Sequence, residues 1–104
     1  MTTKYGVNYA FAGSKIKPAI REALRGYIEE HRPVGEFLTA VLENDLAQAF
    51  GRADPENLAT LYEIVQWVYM EAPAPCWGSP EKVKAWLNPE AVTFATFPAE
   101  EPAR

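Results

Sequence analysis

The sequence predicts an all-α single domain: a small bundle of four helices with extended aromatic arms at its N- and C-termini. Three observations predict this fold. The 104 residues are enough for one domain and too few for two ordinary ones. Apolar residues make up 48% of the chain, which is typical of a globular protein. In the central part, apolar side chains recur at spacings of three and four, as they do along helices. We therefore divide the chain into an N-terminal arm (1–15), a helical core (16–88) and a C-terminal tail (89–104).

The first helix is predicted to begin near Pro18, because proline suits the first turn of a helix. Its apolar stripe is formed by Ile20, Ala23, Leu24, Tyr27 and Ile28. The pattern ends around His31-Arg32-Pro33, where proline prevents the helix from continuing.

The second predicted helix opens at Gly35 and stops at Gly51. On a helical wheel its apolar residues share one broad sector, formed by Phe37, Leu38, Val41, Leu42, Leu46, Ala49 and Phe50. Asp45 falls in the middle of that sector. Because an isolated buried charge is very costly, Asp45 has two interpretations. It accepts bonds from the N-terminus of a neighbouring helix, a Trp N–H or an Arg (Arg21, Arg25 or Arg52), or it is a polar anchor at the floor of a groove.

The third predicted helix starts at Asp54-Pro55-Glu56, a cap followed by a first-turn proline, and runs to about Glu71. Its predicted buried face carries Leu58, Leu61, Tyr62, Ile64, Val65, Val68 and Tyr69. Trp67 projects from the opposite side, and Met70 also leans away from the stripe. Either they form a surface for a partner protein, or a terminal arm covers Trp67, with Tyr9 or Phe94 as the lid.

The fourth predicted helix begins at Ser79-Pro80-Glu81, places Val83, Trp86 and Leu87 on its apolar side, and ends at Asn88-Pro89. The proline-rich loop 72–78 precedes it. We expect Trp77 to pin this loop to the body of the protein, in an aromatic cluster with Tyr69 and Trp86.

The termini carry aromatic residues with a less regular pattern. Tyr5, Val7, Tyr9 and Phe11 alternate with smaller or polar residues, and Val92, Phe94 and Phe97 lie near the other end. The two segments either pair as a short two-stranded ribbon or lie over the helices as extended arms. We expect residues 98–104 to be disordered.

The residue content argues against common catalytic and metal chemistries. One Cys and one His cannot supply a Cys/His zinc site, and no phosphate-binding loop or hydrolase motif is present. Cys76 is expected to be a buried apolar side chain, and His31 a packed residue at the end of its helix. We therefore assign no catalytic residues, no metal ligands and no cofactor, and expect a non-enzymatic protein.

Charge and hydropathy bound the partners. The net charge of −4 argues against a dedicated nucleic-acid binder, although Lys15, Lys17, Arg21 and Arg25 form a modest basic edge that an alternative, nucleic-acid-binding regulator would use. No run of about 18 apolar residues is present, so we expect no membrane association. The lone cysteine fits the reducing cytoplasm, where we expect the protein to act as a monomer or a weak homodimer.

The stretch FLTAVLENDLAQAF-GRADPEN, continuing through LYEIVQWVYMEAPAPCWGSPEKVKAWL, resembles a family of small uncharacterised proteins of phages, prophages and bacterial mobile elements. It covers Phe37 to Leu87, and its most specific parts are the NDL and RADPEN runs and the EAP…CWGS turn. The resemblance implies a phage or bacterial accessory protein and carries over no activity. We therefore expect a small protein–protein interaction module, with Trp67, Met70 and Asp45 as the candidate contact residues.

Overall fold

The computed structural model describes residues 5–11 and 14–89, and within these ranges the chain is helical with no β-strand. The all-α class is therefore confirmed. No helix in the described part is long and apolar enough to cross a membrane. The helices in chain order are α1 (Pro18–Glu30), α2 (Glu36–Leu42), α3 (Leu46–Arg52), α4 (Pro55–Ala59), α5 (Leu61–Glu71) and α6 (Pro80–Leu87), with one 3-10 turn (Ala74–Cys76) before α6.

The helix starts follow the local signals in the sequence. Pro18 opens α1, and the Asp54 side chain accepts a hydrogen bond from the Asn57 backbone N–H at 2.7 Å to cap α4. Ser79 caps α6 in the same way, through the N–H of Lys82 at 3.2 Å. Side-chain oxygens at these positions satisfy backbone donors that a helix leaves unpaired, which is why the signal is readable from sequence.

Two of the four predicted helices are each broken in two, so the described part of the chain contains six α-helices. The second predicted helix breaks at Asn44, whose φ of 65° is left-handed, a conformation that asparagine tolerates better than most residues. The third breaks at Thr60, which caps α4 at one end and α5 at the other with φ −111° and ψ 14°. The predicted stop at Gly51 is wrong, because α3 continues to Arg52.

The core joins the arm, the helices and the proline-rich loop. Its largest fully buried side chains are Val7, Ile16, Leu24, Tyr27, Ile28, Leu42, Ile64, Val68 and Cys76. The Tyr27 hydroxyl donates to the Cys76 carbonyl at 2.7 Å, and Trp86 Nε1 donates to the Tyr27 carbonyl at 2.9 Å. These two bonds tie α1 to the loop and to α6 in the interior, where satisfied polar groups are needed.

The N-terminal segment 5–11 forms no strand and packs against the helices. The segment that would complete the predicted ribbon, with Val92, Phe94 and Phe97, lies outside the described residues, as does the end expected to be disordered. The extended-arm interpretation therefore holds for residues 5–11.

Candidate functional site

Trp67 is covered by the N-terminal arm of its own chain. Its side chain is only 9% exposed. The Phe11 ring stacks on it with centroids 4.6 Å apart and an interplanar angle of 18°, and the Tyr9 ring lies 5.8 Å away. Of the two interpretations of Trp67, the covering arm is the one the structure has, with Tyr9 and Phe11 as the lid. The candidate contact surface loses its main residue, whereas Met70 beside it is 68% exposed.

The arm is held to α5 by two carboxylates that flank Trp67 at intervals of four residues. Glu71 Oε1 accepts the backbone N–H of Asn8 at 3.3 Å, and Glu63 Oε1 accepts that of Lys15 at 2.7 Å. Residues four apart lie on one face of a helix, so Glu63, Trp67 and Glu71 form a second packed face of α5. The sequence carries this spacing, and it is the signal that could have identified the docking face.

A cleft of about 390 Å³ lies between the arm and α5. The side chains that matter for its chemistry are Asn8 and Phe11 from the arm, and Glu63, Trp67, Met70 and Glu71 from α5. The cleft therefore combines two carboxylates with an aromatic and thioether surface. Trp67 Nε1 is buried and has no hydrogen-bond acceptor among the described residues. We call this the arm cleft.

Asp45 is exposed, and its predicted position inside the core is wrong. It is the N-cap of α3, where its carboxylate accepts the backbone N–H of Gln48 at 3.2 Å. The wheel that placed it in the core assumed one unbroken helix, and the left-handed Asn44 changes the direction of the chain just before it. It accepts from a helix N-terminus, but from that of the helix it begins and not from a neighbouring helix as expected.

In the part of the chain that the structure describes, the large exposed apolar side chains lie on α3, α4 and α5: Leu46, Phe50, Leu58, Tyr62, Tyr69 and Met70. Tyr62 and Tyr69 are 75% and 71% exposed, although the sequence places both on the buried face. The buried arc of α5 is in fact rotated toward Trp67 by roughly a quarter turn, because the arm covers that side. Leu46, Phe50 and Leu58 were likewise predicted to be buried and are 45–56% exposed.

A groove of about 120 Å³ separates the start of α3 from α5. The residues that line it include Leu46 of α3, Val65 of α5 and Trp77 of the proline-rich loop. The Tyr69 ring meets Trp77 edge-on at 6.2 Å, as expected, whereas Trp86 packs instead against Tyr5 and His31. We use the name apolar face for the exposed side chains of Leu46, Phe50, Leu58, Tyr62 and Tyr69, together with Val65 and Trp77 of the groove.

The predicted basic edge is largely used inside the protein. Lys17 pairs with Asp54 at 2.9 Å and Glu56 at 3.2 Å. The hydrogen bonds to these two carboxylates raise the pKa of the Lys17 ammonium. The pKa of the Asp54 carboxyl is lowered, mainly by the hydrogen bond from the Asn57 backbone N–H and next by the bond from Lys17.

The two arginines of that edge are also engaged. Arg25 bridges Glu22 at 2.6 Å and Glu30 at 3.2 Å. Arg21 donates to the backbone carbonyl of Ile16 at 2.6 Å and lies 5.5 Å from the centre of the Phe11 ring. Of the four, only the exposed Lys15 has no side-chain partner among the described residues.

His31 and Cys76 are both packed within the fold. His31 Nδ1 lies 2.7 Å from the Trp86 carbonyl, which can only accept, so this nitrogen carries the proton. Nε2 lies 3.1 Å from the Tyr5 hydroxyl. Cys76 is fully buried, as predicted, and burial raises the pKa of its thiol to about 12. Among the described residues, no group of three or more His, Cys, Asp and Glu side chains is placed to hold a metal ion.

Comparisons with known proteins identified no relative of this chain. A scan against protein-family models, a search of curated proteins and a search of solved structures each returned no match to the chain.

Proposed function

We propose that the protein is a small non-enzymatic accessory module that binds another protein through the apolar face. The observation that carries the proposal is the exposure of Tyr62 and Tyr69. They lie seven positions apart on α5, two helical turns, so they point the same way. Tyrosine is enriched at protein interfaces because it offers a large apolar surface with a polar end.

The surroundings of the two tyrosines support the same proposal. Leu58 on α4 and Leu46 on α3 are also exposed, and Leu46 lines the groove between α3 and α5. Large apolar side chains that remain exposed in one contiguous region are typical of binding surfaces. We also propose that the protein originates in a phage or mobile element, and this part of the proposal rests only on the resemblance of residues 37–87.

The nucleic-acid alternative has less support. Non-specific affinity for nucleic acids comes mainly from cations that neutralise phosphates. Lys17 and Arg25 already pair with carboxylates, and the Arg21 guanidinium binds backbone carbonyls of its own chain. A DNA-binding assay at two salt concentrations decides this point, because affinity that falls steeply with salt would favour the alternative.

The experiment for the apolar face compares affinity capture by the wild-type protein with capture by Tyr62→Ser/Tyr69→Ser. A matched control, Glu81→Ser/Lys84→Ser, changes two exposed residues of α6. We expect the tyrosine variant to lose a protein that the wild type and the control retain, and the purified partner to reproduce the difference. Capture of the same proteins by all three would contradict the proposal.

The partner of the apolar face could also be a second copy of this chain, which a separate measurement tests. Sedimentation velocity of the three proteins reports whether the partner is a second copy of this chain. A wild-type dimer that the tyrosine variant loses and the control keeps would make this surface a homodimer interface.

A further inference from the structure

We infer that the apolar face pairs with the same face of a second copy of this chain, with the two α5 helices packed side by side in opposite directions. This rests on the proposed function, since it names a second copy of the chain as the protein that the apolar face binds. The spacing of the exposed side chains on α5, their lack of charge and the amount of exposed apolar surface support it.

The exposed side of α5 has the spacing by which two helices pack against each other. Tyr62, Val65 and Tyr69 lie three and four positions apart, and on a helix they fall within an arc of about 60°. Apolar side chains at alternating intervals of three and four form the seam between paired helices. The core of this chain uses the neighbouring stripe, with Ile64 and Val68, so the seam of Tyr62, Val65 and Tyr69 is left at the surface.

The charges of α5 favour a second copy over a charged partner. A two-fold dimer places a surface against itself, so any charge near the axis meets its own like charge. The seam is uncharged, and so is Gln66 beside it. Glu63 and Glu71, the two carboxylates of α5, lie on the side that holds the arm. Asp45 lines the neighbouring groove, but its carboxylate is bonded to the N-terminus of α3. An acidic or basic partner finds no opposite charge along this seam, whereas a second copy offers an equally uncharged surface.

The opposite direction of the two helices follows from the sizes of the seam side chains and from the helix dipoles. In an antiparallel pair a tyrosine of one copy lies beside the smaller Val65 of the other copy, so large and small side chains interdigitate. A parallel two-fold pair instead places each tyrosine against the same tyrosine. Antiparallel helices also bring the positive N-terminal end of one helix beside the negative C-terminal end of the other.

The area of the apolar face is that of a weak dimer. Tyr62 and Tyr69 are 75% and 71% exposed, and Leu46, Phe50 and Leu58 are 45–56% exposed. Since a tyrosine or phenylalanine buries about 150–250 Å² when it is fully covered, two copies of this face bury on the order of 1,000 Å². That is the lower limit for a specific interface, so we expect a dissociation constant on the order of 10–100 µM.

The test is sedimentation equilibrium of the full chain, from about tenfold below to tenfold above this constant. We expect wild type to change from monomer to dimer, and Tyr62→Ser/Tyr69→Ser to weaken the dimer at least about tenfold. Tyr62→Phe/Tyr69→Phe keeps both rings and should dimerise like wild type. Glu81→Ser/Lys84→Ser, on α6, should do the same, and far-ultraviolet circular dichroism checks that each variant is folded.

The dependence on salt distinguishes an apolar seam from a contact made of ion pairs. Each copy carries a net charge of −4, so the two copies repel each other overall. Raising the salt concentration from about 0.05 to 0.5 M screens this repulsion and should leave the dimer unchanged or strengthen it. A dimer that dissociates as salt is added is held by charges and overturns the assignment to this seam.

The direction of the helices is measured with a nitroxide label. Cys76 is fully buried, so the label attaches selectively to an exposed cysteine in Ala59→Cys, just before α5. The labelled protein is mixed with an unlabelled copy that carries ¹⁵N, in which only contacts between copies broaden the resonances. We expect the amides of Tyr69 and Met70, at the end of α5, to broaden more than that of Tyr62. Stronger broadening at Tyr62 would contradict the antiparallel pair.

Self-pairing is overturned if wild type stays monomeric over the whole concentration range, a result that needs no variant. It is equally overturned if Tyr62→Ser/Tyr69→Ser dimerises as tightly as wild type, because another surface then forms the dimer. Either failure is distinguishable from failure of the proposed function. A monomeric wild type that captures a protein which the tyrosine variant loses keeps the apolar face as a binding surface, with a different occupant.

Discussion

Docking of the N-terminal arm onto α5 predicts a large loss of stability in Phe11→Ala. Phe11 is 6% exposed and stacks on Trp67 at 4.6 Å, so the substitution removes a nearly complete aromatic contact from the edge of the core. Truncation of a buried phenylalanine to alanine costs about 3–5 kcal/mol. Because the arm can move to fill part of the space, we expect about 3 kcal/mol, the lower end of that range.

The backbone at this position makes the prediction sharper. Phe11 has a φ of 52°, in the left-handed region where an L-residue is strained by roughly 1–2 kcal/mol and glycine is not. Glycine also gains about 0.4–1 kcal/mol of unfolded-state entropy relative to alanine, which opposes folding. The strain is the larger effect, so Phe11→Gly should be more stable than Phe11→Ala by a few tenths to about 1 kcal/mol.

The measurement is equilibrium unfolding in urea, followed by far-ultraviolet circular dichroism and by tryptophan fluorescence. Hydrogen exchange of the Asn8 and Lys15 amides reports the arm directly, since both amides bond to carboxylates of α5. A loss below about 1 kcal/mol in Phe11→Ala, within the range of a surface substitution, would mean that the arm is not docked. A glycine variant less stable than the alanine variant would refute the left-handed backbone at Phe11.

Three further predictions concern single groups. Asp45→Ala should cost about 1 kcal/mol, the value of a lost N-cap, and Asp45→Ser should restore most of it in thermal unfolding; a much larger loss would mean that Asp45 is buried after all. Cys76 should react with a thiol reagent at pH 8 far more slowly in the native protein than in urea, since the side chain is fully buried and burial raises the pKa of its thiol, and fast native labelling would contradict this. The folded pKa of Asp54 is lowered, so its contribution to stability is present above pH 3.8 and is lost as the pH falls through the folded pKa. Asp54→Asn should therefore lose less stability than wild type in acid unfolding, and identical acid profiles would show that the Asp54 charge does not stabilise the fold.

The parts of the fold that follow from neighbouring residues could be predicted from the sequence. Pro18, Asp54-Pro55 and Ser79-Pro80 act within one turn of the helix that they begin, and the structure has a helix start at each. The end of α1 at His31 is equally local, although its left-handed backbone is not encoded by a glycine. Capping depends on a side chain and a backbone N–H about three residues away, so the surrounding fold hardly changes it.

The two helix breaks could not be predicted in the same way. Asn44 and Thr60 are ordinary residues within an apolar pattern that continues on both sides of them. Their conformations depend on where the following helix packs, and Gly78 in the distant proline-rich loop donates to the Leu42 carbonyl at the end of α2. Once a helix is broken, a wheel drawn through the break assigns the second half to the wrong side. Asp45, Leu46 and Phe50 were misassigned for that reason.

The case of α5 differs, because residues 61–71 are helical as predicted and the error lies in which side of this helix is buried. A helix with apolar residues over more than half of its circumference can bury either side, and the choice depends on what packs against it. Here the arm adds Phe11 and Tyr9 to the side of Trp67, and Glu63 and Glu71 supply acceptors for its backbone. The core then takes Ile64 and Val68, and Tyr62 and Tyr69 are left outside.

This arrangement separates stability from binding on one helix. The side of α5 that carries Trp67 holds the arm, so substitutions there change the fold and any cleft that depends on it. Tyr62 and Tyr69 are about three-quarters exposed, so replacing both by serine should change the free energy of unfolding by no more than about 1 kcal/mol, including the edge contact of Tyr69 with Trp77. Since folding does not account for two large aromatic side chains in water, a loss of binding without a loss of stability in that variant would assign them to recognition. A Trp67 variant cannot separate binding from stability in this way, because replacing Trp67 alters the arm, the cleft and the fold together.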